Sequence, residues 1–126
     1  MSLSVILAED EPDIQLVARL ALKRAGFEVR IVDNGAEAIA AAGERLPDVI
    51  LLDWMMPTMD GPTACAKLKA NPATAGVPVI FLTARSQESE ILKGLALGAA
   101  GYITKPFDAL TLGDQVMALI GSGPAR

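Results

Sequence analysis

Five short apolar runs, each followed by a segment with helical spacing, constrain the fold of this chain more than any other feature. The runs are SVILA (residues 4–8), EVRIV (28–32), DVILL (48–52), VPVIFL (77–82) and AGYIT (100–104). Runs this short, bounded by turn residues and rich in Val and Ile, read as strands. The segments between them repeat apolar residues every three or four positions. Pro12 suits a first helical turn, where its missing N–H costs nothing. Ile14, Val17, Ala18 and Ala21 follow at helical spacing, and Gly26 fits just past the end. The alanine-rich stretch 35–44 is stopped by Pro47, and 62–69 is closed by Asn71-Pro72. A helix is expected over about 87–97, and Leu112, Val116, Leu119 and Ile120 mark a last one ending near Gly121.

Five β–α units with short connections predict a parallel, doubly wound sheet with helices on both faces and right-handed crossovers. EVRIV alternates polar and apolar residues, as an edge strand does, whereas DVILL is continuous and belongs at the centre. A chain of 126 residues is about one domain. We expect that domain over 1–121, with 122–126 as a tail of linker composition.

The composition excludes several function classes. A net charge of -4, with no basic cluster, speaks against nucleic acid as a partner of this domain. The chain carries neither a run of membrane-spanning length nor a signal peptide, which predicts a cytoplasmic protein away from membranes. A single cysteine, Cys65, rules out an internal disulfide and any multi-cysteine metal site, and is expected to pack as a small helix residue. Histidine is absent, which removes the commonest general base and the commonest transition-metal ligand.

Chemistry is concentrated at the strand ends. In open α/β sheets, ligands bind beyond the carboxyl ends of the strands, where strand order reverses. The first strand ends in Glu9-Asp10, with Glu11 beyond, and the third in Asp53. The fourth ends in Thr83-Ala84 and the fifth in Thr104-Lys105-Pro106. One polar residue ending a strand is ordinary; acids, a hydroxyl and an amine on four ends of apolar strands are not. Carboxylates gathered together repel unless a cation sits among them, and hard oxygen ligands with room for water favour Mg²⁺. A carboxylate beside Mg²⁺ is a poor base, but it can attack phosphorus and form an acyl phosphate. The equatorial oxygens of the transferred group then need the metal, an ammonium and hydroxyl donors, and Lys105 and Thr83 supply two of these.

VILAEDEP, VILLDWMMPTMDG, VIFLTA and GAAGYITKPF, in that order and spacing, resemble a response-regulator receiver domain of two-component signalling, and the likeness covers residues 4 to 121. It implies a flavodoxin-like (βα)5 fold with strand order 2-1-3-4-5. It also implies that Asp53 is the phospho-acceptor and Asp10 a direct Mg²⁺ ligand, with Mn²⁺ as a substitute ion. Glu9 would act through metal-bound water, and the main-chain carbonyl of Met55 would complete the protein ligands. Thr83 and Lys105 would hold the phosphoryl oxygens, and Tyr102 would be the aromatic switch. A cis Lys105–Pro106 peptide would turn Lys105 inward. Met55 and Arg85 occupy the positions that flank the path of attacking water, and would slow loss of the phosphoryl group. The implied partners are a sensor histidine kinase or histidine phosphotransfer protein, an effector or output domain docking on the fourth helix, fifth strand and fifth helix, and a second copy of the chain. Glu9 stands where many receivers have aspartate. The domain would assist its own phosphorylation and dephosphorylation without being an enzyme acting on other substrates.

Other readings fit less well. An FMN protein of the same fold class would need a phosphate-cradling loop where this chain has Glu9-Asp10-Glu11. Gly94, Gly98 and Gly101 form GxxxGxxG at a helix end and fail the dinucleotide fingerprint. A hydrolytic phosphotransferase would carry a second acid just after the nucleophile, where Trp54-Met55 stand. The main alternative is a pseudo-receiver, an interaction module that keeps the fold and never accepts phosphate.

Overall fold

A computed structural model describes residues 3–83, 88–105 and 107–121. The expected alternation is present: β1 (Leu3–Ala8), α1 (Pro12–Arg24), β2 (Phe27–Val32), α2 (Gly35–Glu44), β3 (Val49–Asp53), α3 (Gly61–Ala70), β4 (Val79–Thr83), α4 (Glu88–Ala96), β5 (Gly101–Thr104) and α5 (Leu112–Gly121). All strand pairs are parallel, in the order β2-β1-β3-β4-β5. From β1 the chain moves one way to β2 and the other way to β3, so strand order reverses at the carboxyl ends of β1 and β3.

Local signals account for the boundaries. Pro12 opens α1, and Gly26, at φ 98°, takes the left-handed position after its end. Asn34 caps α2 by accepting from Glu37 N–H, and Asp60 caps α3 by accepting from Thr63 N–H. β4 starts two residues later than the apolar pattern predicts, at Val79. Pro78 has no N–H for the ladder, although its carbonyl still accepts from Ile50 N–H at 2.9 Å.

β3 shows why its sequence reads as an unbroken apolar run. Val49 and Leu51 face a core shared with α1 and α5, while Ile50 and Leu52 face one shared with α2 and α3. All four are fully buried. Their burial contributes on the order of 6–12 kcal/mol, at about 1.5–3 kcal/mol per side chain. That outweighs the several kcal/mol needed to bury a carboxylate at the strand's end.

The glycines that failed the dinucleotide pattern have packing roles. A Cβ at Gly94 would sit 3.0 Å from the Phe81 ring, and one at Gly101 would sit 2.6 Å from Leu119. Gly98, at φ 96°, follows the end of α4. Cys65 is buried in α3 as a small packing residue.

Candidate phosphoacceptor site

The two central strands deliver three acids to one point. One carboxylate oxygen each from Glu9, Asp10 and Asp53 lie within 4.8 Å of one another. Their burial differs: Glu9 is fully buried, Asp53 is 5% exposed and Asp10 faces solvent. Lys105, delivered by the end of β5, places its ammonium 2.9 Å from Glu9 Oε1 and 3.0 Å from Asp53 Oδ1. Lys105 N–H also donates to Thr83 O at 2.7 Å, prolonging the β4–β5 ladder and fixing where the side chain starts.

Glu9 is held from several directions. Its N–H donates to Val32 O at 3.1 Å, one carboxylate oxygen accepts from Lys105, and the other accepts from Glu11 N–H at 3.0 Å. Among the described residues, no buried side-chain nitrogen or oxygen lacks a hydrogen-bond partner. Burial, and then the charge of Glu9, raise the pKa of Asp53 to about 6, against the lowering pull of the Lys105 hydrogen bond and charge. Burial by itself would lower the Lys105 pKa, but its bonds to Glu9 and Asp53 and their charges outweigh this and raise it. At neutral pH Asp53 is therefore mostly ionised, in a corner rich in negative charge. Three convergent carboxylates with one open side make a donor set that fits a hard divalent cation.

The loop after β3 folds tightly beside the site. Trp54 N–H donates to Leu82 O at 2.9 Å, and Gly61 N–H donates to Trp54 O at 3.1 Å. Gly61 is obligatory, because a Cβ there would collide with Asp53 O. Met59 N–H donates to Pro57 O at 2.6 Å around Thr58, whose φ of 67° is costly for a β-branched residue. Nothing in the sequence pattern marked Thr58. The Met55 side chain is 77% exposed, whereas Met56 packs against the α2–α3 side of the core.

At the other corner, Thr83 is buried at the end of β4. With Trp54, Phe81, Gly94, Leu95, Gly101 and Tyr102 it lines a shallow apolar recess that opens to solvent. Tyr102 is 40% exposed, and Trp54 meets Phe81 edge-on with ring centroids 4.8 Å apart. Arg85, the Lys105–Pro106 peptide and the tail at 122–126 lie outside the described residues.

The response regulator receiver domain family matches residues 5–117. The chain belongs to that family. Receiver domains are the phosphoacceptor modules of two-component phosphorelays, and the doubly wound fold with order 2-1-3-4-5 is theirs. The chain is 41% identical over 116 residues to the phosphate regulon transcriptional regulatory protein PhoB of Rhizobium meliloti, covering 92% of this chain and 51% of PhoB. It is 38% identical over 120 residues to the sensory transduction protein RegX3 of Mycobacterium tuberculosis, covering 95% of this chain and 52% of RegX3. The chain thus spans about half the length of these relatives.

Among solved structures, the receiver domain of sensor histidine kinase PA1611 of Pseudomonas aeruginosa has a TM-score of 0.87 and 31% identity, with 97% of this chain and 100% of that one covered. That receiver holds a magnesium ion coordinated in its active-site cleft. Chemotaxis response regulator CheY4 of Vibrio cholerae has a TM-score of 0.89 and 28% identity, covering 94% and 99%. The acidic cluster of this receiver is compatible with the same ion. Among the described residues, no helix is long and apolar enough to cross a membrane.

The sequence did not reveal that Lys105 pairs with Glu9 as well as Asp53. It also gave no hint that Gln15, in the second turn of α1, reaches this corner. The Gln15 carboxamide donates to the Glu9 main-chain carbonyl and to Asp33 Oδ1.

Proposed function

We propose that Asp53 of this receiver accepts a phosphoryl group from the phosphohistidine of a sensor kinase or phosphotransfer protein. The convergence of Glu9, Asp10 and Asp53 with Lys105 at the strand-order reversal carries this reading. An ionised Asp53 oxygen attacks phosphorus, the P–N bond breaks, and the imidazole leaves with its electron pair and later takes up a proton. The product is an aspartyl phosphate. Asp10 and Asp53, with the Met55 main-chain carbonyl and Glu9 through water, are the groups that would hold Mg²⁺, and Mn²⁺ suits the same oxygens. The ion supplies charge neutralisation for the incoming phosphoryl group. Lys105, already 3.0 Å from Asp53, pairs with a phosphoryl oxygen as that charge builds.

The consequence of transfer is a shift of Thr83 toward the phosphoryl group. Tyr102 then moves into the recess it now borders half-exposed, and the surface of α4, β5 and α5 changes. Leu92, Leu95 and Tyr102 are exposed on that surface, and an output domain, an effector or a second copy of the chain would dock there. The setting proposed is cytoplasmic. Met55, with Arg85, would limit the water that hydrolyses the aspartyl phosphate.

Treatment with a small acyl phosphate and Mg²⁺, followed by intact-mass measurement, tests the assignment. Wild type gains one phosphoryl group, and Asp53→Asn gains none. A wild type that stays unlabelled while folded would support the pseudo-receiver instead. Amide exchange with and without fluoroberyllate tests the switch, and changes confined to the acidic corner, sparing α4 and Tyr102, would contradict it.

A further inference from the structure

We propose that Gln15 is a positioning residue for the metal site, holding the Glu9–Asp10 peptide so that the Asp10 carboxylate stays within the acidic cluster; this rests on the Mg²⁺ reading above. Helical side chains slant toward the helix N-terminus, which lets a residue in the second turn of α1 reach back to the end of β1. The Gln15 side-chain nitrogen has two hydrogens. One bonds the Glu9 carbonyl and the other Asp33 Oδ1 at 2.9 Å, so both donors are used. Asp33 lies at the end of β2, and its own N–H donates to Glu37 Oε1 at 2.9 Å. Gln15 therefore ties the peptide that carries Asp10 to the β2–α2 connection.

Without this tie the neighbouring contacts leave one degree of freedom. The Glu9 N–H and side chain are fixed by Val32, Glu11 and Lys105, but they lie on the amino side of the Glu9–Asp10 peptide or on the Glu9 side chain. Rotation of that peptide moves Asp10, which is exposed and lies at the outer edge of the acidic cluster. Gln15 makes the contact that resists this rotation. A side chain with two N–H donors is required, because the carboxamide nitrogen faces a carbonyl and a carboxylate at once.

The chain's sole tryptophan, Trp54, follows Asp53 directly, so its fluorescence is the readout chosen for Mg²⁺ titrations. Gln15→Met keeps size and charge and removes both donors. It is expected to weaken Mg²⁺ binding about tenfold, as loss of an outer partner of a metal site typically does. Gln15→Glu is expected to weaken binding as well, although Coulomb attraction from the added carboxylate alone would tighten it. Lys69→Met is the structural control, since Lys69 also donates to two main-chain carbonyls, Ala75 O and Val77 O, away from the acids. That control should lower the metal-free melting temperature and leave Mg²⁺ affinity unchanged. Unaltered affinity in Gln15→Met, a tighter Gln15→Glu, or an equal loss in Lys69→Met would each overturn the proposal. Absence of Mg²⁺ binding in wild type would instead sink the metal reading itself. If Gln15→Met does not fold, the wild-type Gln15 side-chain NH₂ resonances decide. Slowed exchange and a shift on adding Mg²⁺ support the tie, and a solvent-like pair that ignores Mg²⁺ refutes it.

Discussion

β3 begins just after one aspartate and ends on another, and the two meet opposite surroundings. Asp48, at the amino end, is exposed and accepts from Ser4 N–H at 2.7 Å, while its own N–H donates to Ser4 O at 2.9 Å. Those bonds pin β3 against β1 and give one carboxylate oxygen of Asp48 neutral donors. Asp53, four aliphatic residues further along, is buried beside Glu9 and Asp10 with a single lysine among them. The first aspartate is an ordinary strand-end tie, and the second is a charge held where water cannot stabilise it. Residue type does not separate them; burial and neighbouring charge do.

The comparison breaks most clearly on metal binding. Asp10→Ala should weaken Mg²⁺ about a hundredfold, roughly 2.7 kcal/mol, while Asp48→Ala leaves the Trp54 titration where it was. Equal losses would mean that the amino-end aspartate matters to the carboxyl-end cluster.

Stability against pH gives the next effect. Asp53 has its folded pKa raised from 3.8 to about 6, so between those values the folded protein binds more protons than the unfolded chain. Stability of the metal-free protein therefore falls as pH rises through that window, and the penalty is fully present above it. Asp53→Asn should make the metal-free protein about 2 kcal/mol more stable at pH 7.5 and bring no gain near pH 4, read by denaturant titration at both values. Asp48→Asn should bring no gain at either pH.

A smaller effect concerns the exposed rim. Met55→Asn gives water a polar partner near the aspartyl phosphate, and its hydrolysis should speed about tenfold, or 1.4 kcal/mol of barrier, measured as loss of the phosphorylated mass. The smallest effect returns to the amino end. Asp48→Ala should cost about 1 kcal/mol of stability through its lost hydrogen bonds and leave phosphoryl uptake at wild-type extent.

Much of this is legible in the sequence alone. The strand ends Glu9-Asp10, Asp53, Thr83 and Lys105 stood out because each interrupts or terminates an apolar run, and a parallel sheet must bring neighbouring ends together. The glycine and proline signals and the apolar runs place most element boundaries within a residue or two. Thr58 was not legible, since its positive φ follows from closing the loop between β3 and α3 and from no local preference. Gln15 falls outside the apolar spacing of α1, and nothing in the sequence singles it out. Its contacts to Glu9 and Asp33 depend on how α1 packs against two strands at once.

The sequence by itself determined the strand and helix alternation, the central place of β3 and the residue types at the carboxyl edge, because hydrophobic period and turn chemistry are local properties. Only the tertiary structure decided that Lys105 bridges Glu9 and Asp53, that Asp10 stays exposed while Glu9 is sealed, and that Tyr102 stands half outside its recess. Those outcomes depend on distances between residues up to 96 positions apart in the chain. Electrostatic and packing energies are set by such distances and by burial, neither of which is encoded at any one position.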